Sequence, residues 1–328
     1  MHKSQKKTFN LIGHNNIEKF MLDSIKSRRI HHAYLLSGIE GIGKATFAHR
    51  VSRFILSNLY GDNMEIEKNN RTVNLINNDS HPDFMVLSKD SHNEKNVIEI
   101  KQVRKCIEFF SHTPILSKFK ICIIDSIDDM NINSANAILK ILEEPPKNSL
   151  FFIIAHNKET VLPTIRSRCL NLPFKKFTDN EIKNFVSERV SEDKILNLDK
   201  IVKISNGSIG KALSLINEDF QDINSKVNNL FDTNFSRNSY SLEDFIDISD
   251  KIDLFFEIII CKIETLIKEI IQSNIQNERR QIEQYFNLRD HIHKIYFDGK
   301  KFNNLNNHMI IDVIFLIKET FDLRKINV

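Results

Sequence analysis

A glycine-rich loop follows a short apolar run near the start of the chain, and its spacing is that of a phosphate-binding loop. Residues 38–44 read GIEGIGK, which fills the pattern GxxxxGK. In such a loop the glycines let backbone N–H groups point at phosphate oxygens, and the lysine adds a positive charge. The residues predicted to bind nucleotide here are Gly38, Gly41, Gly43, Lys44, Ala45 and Thr46.

The residue after the lysine departs from this pattern. A serine or threonine at that place holds Mg²⁺ with its hydroxyl, whereas this chain has Ala45 and reaches a hydroxyl only at Thr46. The loop therefore predicts phosphate binding, and it leaves open whether the site hydrolyses nucleotide.

Three polar residues follow in the order in which one nucleotide site would need them. Asp125 ends a continuous apolar run, where a carboxylate could hold Mg²⁺ directly or through water. Asn157 comes just past the next apolar run, at the place of a water-orienting side chain, and Lys211 in GSIGKA could reach over the phosphates. A lone Asp or Asn at such a place more often ends a strand or forms a turn. Only their order relative to the loop supports the functional interpretation.

Arg168 belongs to a Ser-Arg-Cys triplet that follows these residues. An arginine at a strand edge ordinarily forms a surface salt bridge. A guanidinium at a subunit edge is also what an arginine finger requires, because its planar, permanent charge stabilises a transferring phosphoryl group in a neighbouring subunit. Spacing alone favours the salt bridge.

Strands and helices alternate in the first half of the chain, which predicts a doubly wound α/β domain with a parallel sheet. Residues 60–96 are polar and predict an extended surface segment with one strand. Beyond about residue 173 the periodicity is helical throughout. The predicted strands cover residues 32–36, 84–87, 121–124, 150–154 and 169–172; the helices of the first part cover residues 14–29, 45–59, 98–110 and 133–144.

Composition excludes several classes of protein. The 328 residues carry a net charge of only +3, which argues against a basic DNA-coating protein. The start of the chain has no apolar core and the richest apolar stretch, residues 254–271, is interrupted by charges, so we expect a cytoplasmic protein without a membrane partner. The four cysteines lie far apart without a CxxC pair, and we therefore predict no metal site.

Several runs taken together resemble the AAA+ clamp-loader family. They are HHAYLLSGIEGIGKAT, ICIIDSIDDMNINSANAILKILEEPP, the Ser-Arg-Cys triplet and GSIGKALSL. The resemblance implies an α/β, RecA-like P-loop domain over residues 1–173, a small helical lid domain over residues 174–222 and an all-helical collar over residues 223–328. It also implies that the collar makes the chain part of an oligomer.

The family's function adds further expectations. The resemblance implies a hetero-pentamer with motor (gamma or tau) and delta subunits, which opens a ring-shaped sliding clamp and places it on primed DNA. In that assembly Arg168 would be the finger that acts in trans on the ATP of the adjacent motor subunit. DNA is expected to contact the chain only through the assembled complex.

The chain also departs from the family's ATPase members. Their Asp-Glu pair is here Asp125 and Ser126, and Ala45 replaces the residue whose hydroxyl holds Mg²⁺. Residues 60–105 contain no cysteine, whereas motor subunits commonly carry a four-cysteine zinc module there. Gly210 stands where a lid arginine is expected, beside Lys211. A serine cannot activate water as the glutamate does.

These departures favour a stator that scaffolds the pentamer, with no required cofactor; the retained Gly43 and Lys44 leave ATP or ADP binding open, with Mg²⁺ if nucleotide binds. The alternative is a catalytically active AAA+ ATPase, either a motor subunit or a standalone remodeller, in which Asp128 would replace the missing carboxylate. Enzymatic activity of the isolated chain is therefore left open.

Overall fold

The computed structural model of the chain describes residues 11–59, 61, 63–67, 69–89, 97–190, 198–216, 218–231, 242–272, 279–302 and 305–326. The chain divides into two compact units. The first comprises Met1–Phe177 with Ser208–Gly210, and the second comprises Thr178–Gly207 with Lys211–Val328. The boundaries at residues 173 and 222 that the sequence suggests for three domains stay a prediction.

The first unit is built on a five-stranded parallel sheet. Its strands run in the order β2-β3-β4-β1-β5 across the sheet. Because all five strands point the same way, their carboxyl ends meet at one edge and their amino ends at the other. The strands are Ala33–Ser37 (β1), Phe84–Ser88 (β2), Lys120–Asp125 (β3), Ser149–Ala155 (β4) and Leu170–Pro173 (β5).

Helices cover both faces of this sheet. Successive residues of β1 point to opposite sides: Tyr34 and Leu36 join one apolar cluster, and Leu35 joins the other. Both faces of the central strands are therefore buried, which explains their unbroken apolar runs and confirms the α/β class. The helices of this unit are Asn15–Lys26 (α1), Lys44–Leu56 (α2), Arg71–Asn77 (α3), Ile100–Ser111 (α4), Ile132–Glu143 (α5) and Pro163–Arg166 (α6).

The segment of residues 60–96 is more structured than predicted. It contains the expected strand β2, but also helix α3, so the prediction of a merely extended segment was wrong for residues 71–77. Asn70 caps the helix by accepting a hydrogen bond from Thr72 N at 2.8 Å. Val73 and Ile76 are buried. The asparagines of this stretch cap and flank a short helix, although their abundance favoured a loop.

The second unit is helical. Its longest buried face belongs to α11, in which Phe255, Ile259 and Ile263 are fully enclosed. Among the described residues, none of the helices combines the length and apolar character needed to cross a bilayer. The helices are Asp179–Ser187 (α7), Leu198–Ser205 (α8), Ile209–Leu215 (α9, which begins in the first unit), Glu218–Leu230 (α10), Ile252–Gln272 (α11), Arg279–Phe302 (α12) and Asn306–Ile326 (α13).

Candidate functional site

The predicted nucleotide-binding residues of the first unit gather at the carboxyl edge of three adjacent strands. The glycine loop leaves the end of β1, Asp125 ends β3, and Asn157 follows β4, which lies between them. Open parallel sheets bind ligands outside the carboxyl ends of their strands. The fold therefore brings these sequence motifs to one place.

The loop needs its glycines for conformational reasons. Gly38, Gly41 and Gly43 have φ angles of 146°, 77° and 101°, which side chains disfavour. At Gly38 a Cβ atom would also lie 2.6 Å from the carbonyl oxygen of Phe174. A side chain at these positions would strain the loop, which leads directly into the amino end of α2.

Two residues from outside the loop hold its carbonyl oxygens. His14 Nε2 lies 3.1 Å from Ile42 O and so donates to it, while Gly210 N donates to Gly41 O at 2.9 Å. These contacts engage the oxygen side of the loop peptides. A phosphate group would need the N–H groups of the loop instead.

Lys44 lies buried beneath the loop. Its ammonium group donates to Gly38 O at 2.5 Å and Ile39 O at 2.6 Å, and its Nζ lies 3.2 Å from His156 Nδ1. Burial lowers the pKa of Lys44 to about 8, although the carboxylates of Asp125, Asp128 and Glu40 act in the opposite direction. The lysine is thus a positive charge that a phosphate group would stabilise.

The residues at this site fit phosphate groups better than they fit Mg²⁺. Ala45 is buried in the apolar core and offers no oxygen, and Thr46 comes one residue later in α2, where the helix has turned by about 100°. Of the predicted set, only Asp125 carries a carboxylate. Within the described residues, no three His, Cys, Asp or Glu side chains group into a metal site.

The residue after Asp125 is a serine, and the nearby carboxylates make hydrogen bonds within the fold. The hydroxyl of Ser126 donates to Asp129 Oδ2 at 3.0 Å. Asp128 is committed to the turn after β4, because it accepts hydrogen bonds from His156 N at 2.6 Å and from Thr160 Oγ1 at 2.9 Å. Its carboxylate thus caps this turn, and the role of Asp128 as a substitute base stays a prediction.

The turn after β4 presents to Lys44 a side chain that the sequence does not single out. His156 faces Lys44, whereas the Asn157 side chain accepts a hydrogen bond from Glu159 N at 3.0 Å within its own turn. Sequence reasoning missed His156, because neighbouring residues after a strand point in different directions and only the fold decides which one faces the loop. The role of Asn157 in orienting water stays a prediction.

Lys211 lies in the second unit and forms an ion pair there. Its Nζ is 2.6 Å from Glu257 Oε1 of α11, and both side chains are partly exposed. Its predicted reach over the phosphates stays untested. Its neighbour Gly210, in contrast, belongs to the first unit and contacts the loop through its backbone.

Arg168 lies in the short connection between α6 and β5. Its Nη2 forms an ion pair with Glu143 Oε1 at 2.7 Å, and its Nη1 donates to Thr164 O at 2.9 Å. The ion pair joins the two most distinctive sequence motifs, LEEPP and Ser-Arg-Cys. One third of the arginine side chain is exposed.

The strand order, the glycine loop after β1 and the aspartate at the end of β3 define an AAA+ P-loop protein. A profile of the family described as "DNA polymerase III, delta subunit" matches residues 13–178, just over half of the chain. The chain belongs to this family, which confirms the resemblance to clamp-loader subunits.

Individual relatives carry related names. DNA polymerase III subunit delta' of Bacillus subtilis is 28% identical over 275 residues, covering 82% of this chain and 80% of that protein. Subunit gamma of Buchnera aphidicola (from Schizaphis graminum) is 29% identical over 210 residues, covering 63% of this chain. The chain spans only 56% of the length of that gamma subunit. A solved gamma subunit-related protein from Thermotoga maritima matches 92% of this chain at 17% identity, with a TM-score of 0.45.

Proposed function

We propose that the chain is the delta prime subunit of a bacterial DNA polymerase III clamp loader. It acts as a stator that scaffolds the pentamer and supplies Arg168 in trans to the ATP of an adjoining motor subunit. The proposal extends the family assignment to a specific role. The name of the B. subtilis relative, a delta' subunit, supports it, whereas the Buchnera relative is a gamma subunit and supports only a DNA polymerase III subunit.

One observation carries this proposal: Arg168 and the glycine loop of its own chain lie at opposite edges of the sheet. Leu170, two residues after Arg168, pairs with Tyr34 near the amino end of β1, whereas the loop begins after Ser37 at the carboxyl end. Four residues of extended strand separate these levels by about 13 Å. The arginine therefore lies away from its own chain's phosphate loop, which supports a role toward the nucleotide of another subunit.

The chain's own site favours binding without efficient hydrolysis. The glycine loop and Lys44 would hold the phosphates of ATP or ADP, and the loop N–H groups would supply hydrogen bonds. Ser126 replaces the carboxylate that activates water, and Asp128 is held in a turn. Without a side-chain oxygen at Ala45 the site also lacks one ligand for Mg²⁺. Bound nucleotide would therefore stabilise the fold of this chain, and its hydrolysis at this site would not drive the clamp-loading cycle.

The assembly would contain gamma or tau motor subunits and a delta subunit, and it would act on the sliding clamp and primed DNA in the cytoplasm. The chain would take part in DNA polymerase III without polymerising DNA itself. Contacts to DNA would be made with the phosphate backbone through the assembled complex.

The experiment that tests the stator role compares ATP hydrolysis by the purified chain with that of the motor subunit, each alone and combined. We expect hydrolysis by the chain alone to stay at background, also after Asp128→Asn, and ATP or ADP binding to be measurable by calorimetry. Turnover by the chain at a rate comparable with the motor, abolished by Asp128→Asn, would instead establish the alternative of an active ATPase.

A further inference from the structure

The ion pair between Arg168 and Glu143 connects the proposed finger to a separate helix. Glu143 is the last residue of α5, and Arg168 follows α6, so the two residues are 25 positions apart in sequence. The oxygen and nitrogen approach to 2.7 Å. The guanidinium also donates to Thr164 O at 2.9 Å and contacts Ser167 Oγ at 3.3 Å.

These contacts restrict the arginine without using all of its hydrogen-bonding capacity. A guanidinium has five N–H donors in a rigid fork, so one ion pair and the two Nη1 contacts leave donors for a phosphate oxygen. Both side chains of the pair are partly exposed, at 33% for Arg168 and 49% for Glu143. Exposed pairs are weak, and a multiply charged phosphate group can compete with the carboxylate. The pair therefore limits the arginine's rotamers without sequestering its charge.

We propose that Glu143 is a positioning residue for the Arg168 finger. It holds the guanidinium in one orientation before the motor subunit docks, so that less conformational entropy is lost when the finger meets the γ-phosphate. This inference rests on the proposed role of Arg168. It assigns a task to the first glutamate of LEEPP that no other contact of that side chain explains among the described residues.

The neighbouring glutamate provides a matched control. Glu144 is the C-terminal cap of α5 and is exposed, and no ion pair with Arg168 is formed by it in the described part of the chain. Replacing either glutamate changes the same charge at the same helix end. Any general effect of the negative charge at this helix end would therefore appear in both variants.

The test measures ATP hydrolysis by the reconstituted clamp loader with Glu143→Gln and Glu143→Ala, with the Glu144 variants as controls. We expect kcat to fall about 3- to 10-fold for the Glu143 variants, with the KM for ATP and the melting temperature of the chain unchanged, and no change for the Glu144 variants. In an Arg168→Ala background the Glu143 substitutions should have no further effect, because their target is missing.

The outcomes separate this inference from the proposed function. If Arg168→Ala leaves hydrolysis unchanged, the finger role itself fails. If Arg168→Ala lowers kcat but the Glu143 variants do not, or if they lower it equally in the Arg168→Ala background, the finger stands and the positioning role is overturned. A higher kcat for Glu143→Gln would also overturn it, because the carboxylate would then be restraining the finger.

Discussion

The backbone N–H of Gly210 donates a hydrogen bond to the carbonyl oxygen of Gly41 at 2.9 Å. A Cβ atom on Gly210 would lie 2.8 Å from that oxygen and 2.9 Å from Gly41 Cα. The two backbones approach this closely only because residue 210 has no side chain. The glycine at the expected place of a lid arginine is thus a structural element of this phosphate loop.

We predict that Gly210→Ala loosens this contact and lowers stability. Alanine is more favourable than glycine in a helix by about 1 kcal/mol. The clash with backbone atoms of Gly41 is expected to cost about 1–3 kcal/mol and to outweigh that gain. The measurements are the melting temperature and the amide exchange rate of Gly210. Gly61→Ala is the control, because its Cβ would meet its nearest atom at 3.5 Å. A variant as stable as the wild type, with a protected Gly210 amide, would contradict the prediction.

Gly210→Arg should likewise fail to create an ATPase. The same backbone contact leaves no room for a side chain, and Ser126 still lacks the carboxylate that activates water. We expect hydrolysis by the purified Gly210→Arg chain to stay at background in a phosphate-release assay. Measurable turnover would mean that the missing arginine alone had silenced the site.

The affinity for nucleotide should depend on pH through Lys44. Burial lowers its pKa to about 8, so the ammonium is charged below that pH and progressively neutral above it. We expect ADP binding to weaken above pH 8, by up to about tenfold per pH unit, since the neutral amine attracts phosphate less. Titrations with a fluorescent ADP analogue at pH 7, 8 and 9 measure the effect. Lys44→Met should bind weakly and without this dependence, and a flat profile for the wild type would refute the assignment.

The loop before β3 should lose its order when Asp83 is replaced. Asp83 is fully buried and accepts hydrogen bonds from the backbone N–H groups of Ile115, Leu116 and Ser117 at 2.7–2.9 Å. Asp83→Asn should lower the free energy of unfolding by about 1–3 kcal/mol and speed amide exchange at these three residues. Asp23→Asn, on the exposed side of α1, is the control. Unchanged exchange would show that the carboxylate does not hold the loop.

The effect of Asp83 should also depend on pH in a defined direction. Burial raises the pKa of this carboxyl, but the hydrogen bonds that it accepts lower the pKa by more, so it lies below the ordinary value. A lowered folded-state pKa stabilises the fold above the unfolded-state pKa and loses that contribution as the pH falls. Denaturant titrations should therefore show a constant difference between wild type and Asp83→Asn above about pH 5, which shrinks below about pH 4.

Much of the fold is readable from the sequence because the relevant signals are local. The apolar runs of β1, β3 and β4 require burial on both faces, and the glycine spacing at residues 38–43 requires the loop conformation that the structure shows. The helix Arg71–Asn77 is not predicted from the sequence, because its two buried residues, Val73 and Ile76, form too short a periodic pattern in an asparagine-rich stretch.

The arrangement of side chains within the site could not be predicted from the sequence, because it depends on tertiary contacts. The turn after β4 decides whether His156 or Asn157 faces Lys44. Asp128, which lies 28 residues before His156 in the chain, caps this turn. The pairing of Arg168 with Glu143 needs two helices to end at the same edge of the sheet. No local pattern encodes either relationship.

ATP hydrolysis by the reconstituted loader shows whether Arg168 acts on the ATP of a neighbouring subunit. Arg168→Ala should leave assembly intact and lower the rate at the adjoining motor site by on the order of 10³. Arg189→Ala is the matched control, because Arg189 is likewise a partly exposed arginine paired with a glutamate, Glu188, at 3.1 Å. We predict a large loss for Arg168→Ala and none for Arg189→Ala. An assembled loader that hydrolyses ATP at the wild-type rate with Arg168→Ala would show that Arg168 is not the finger.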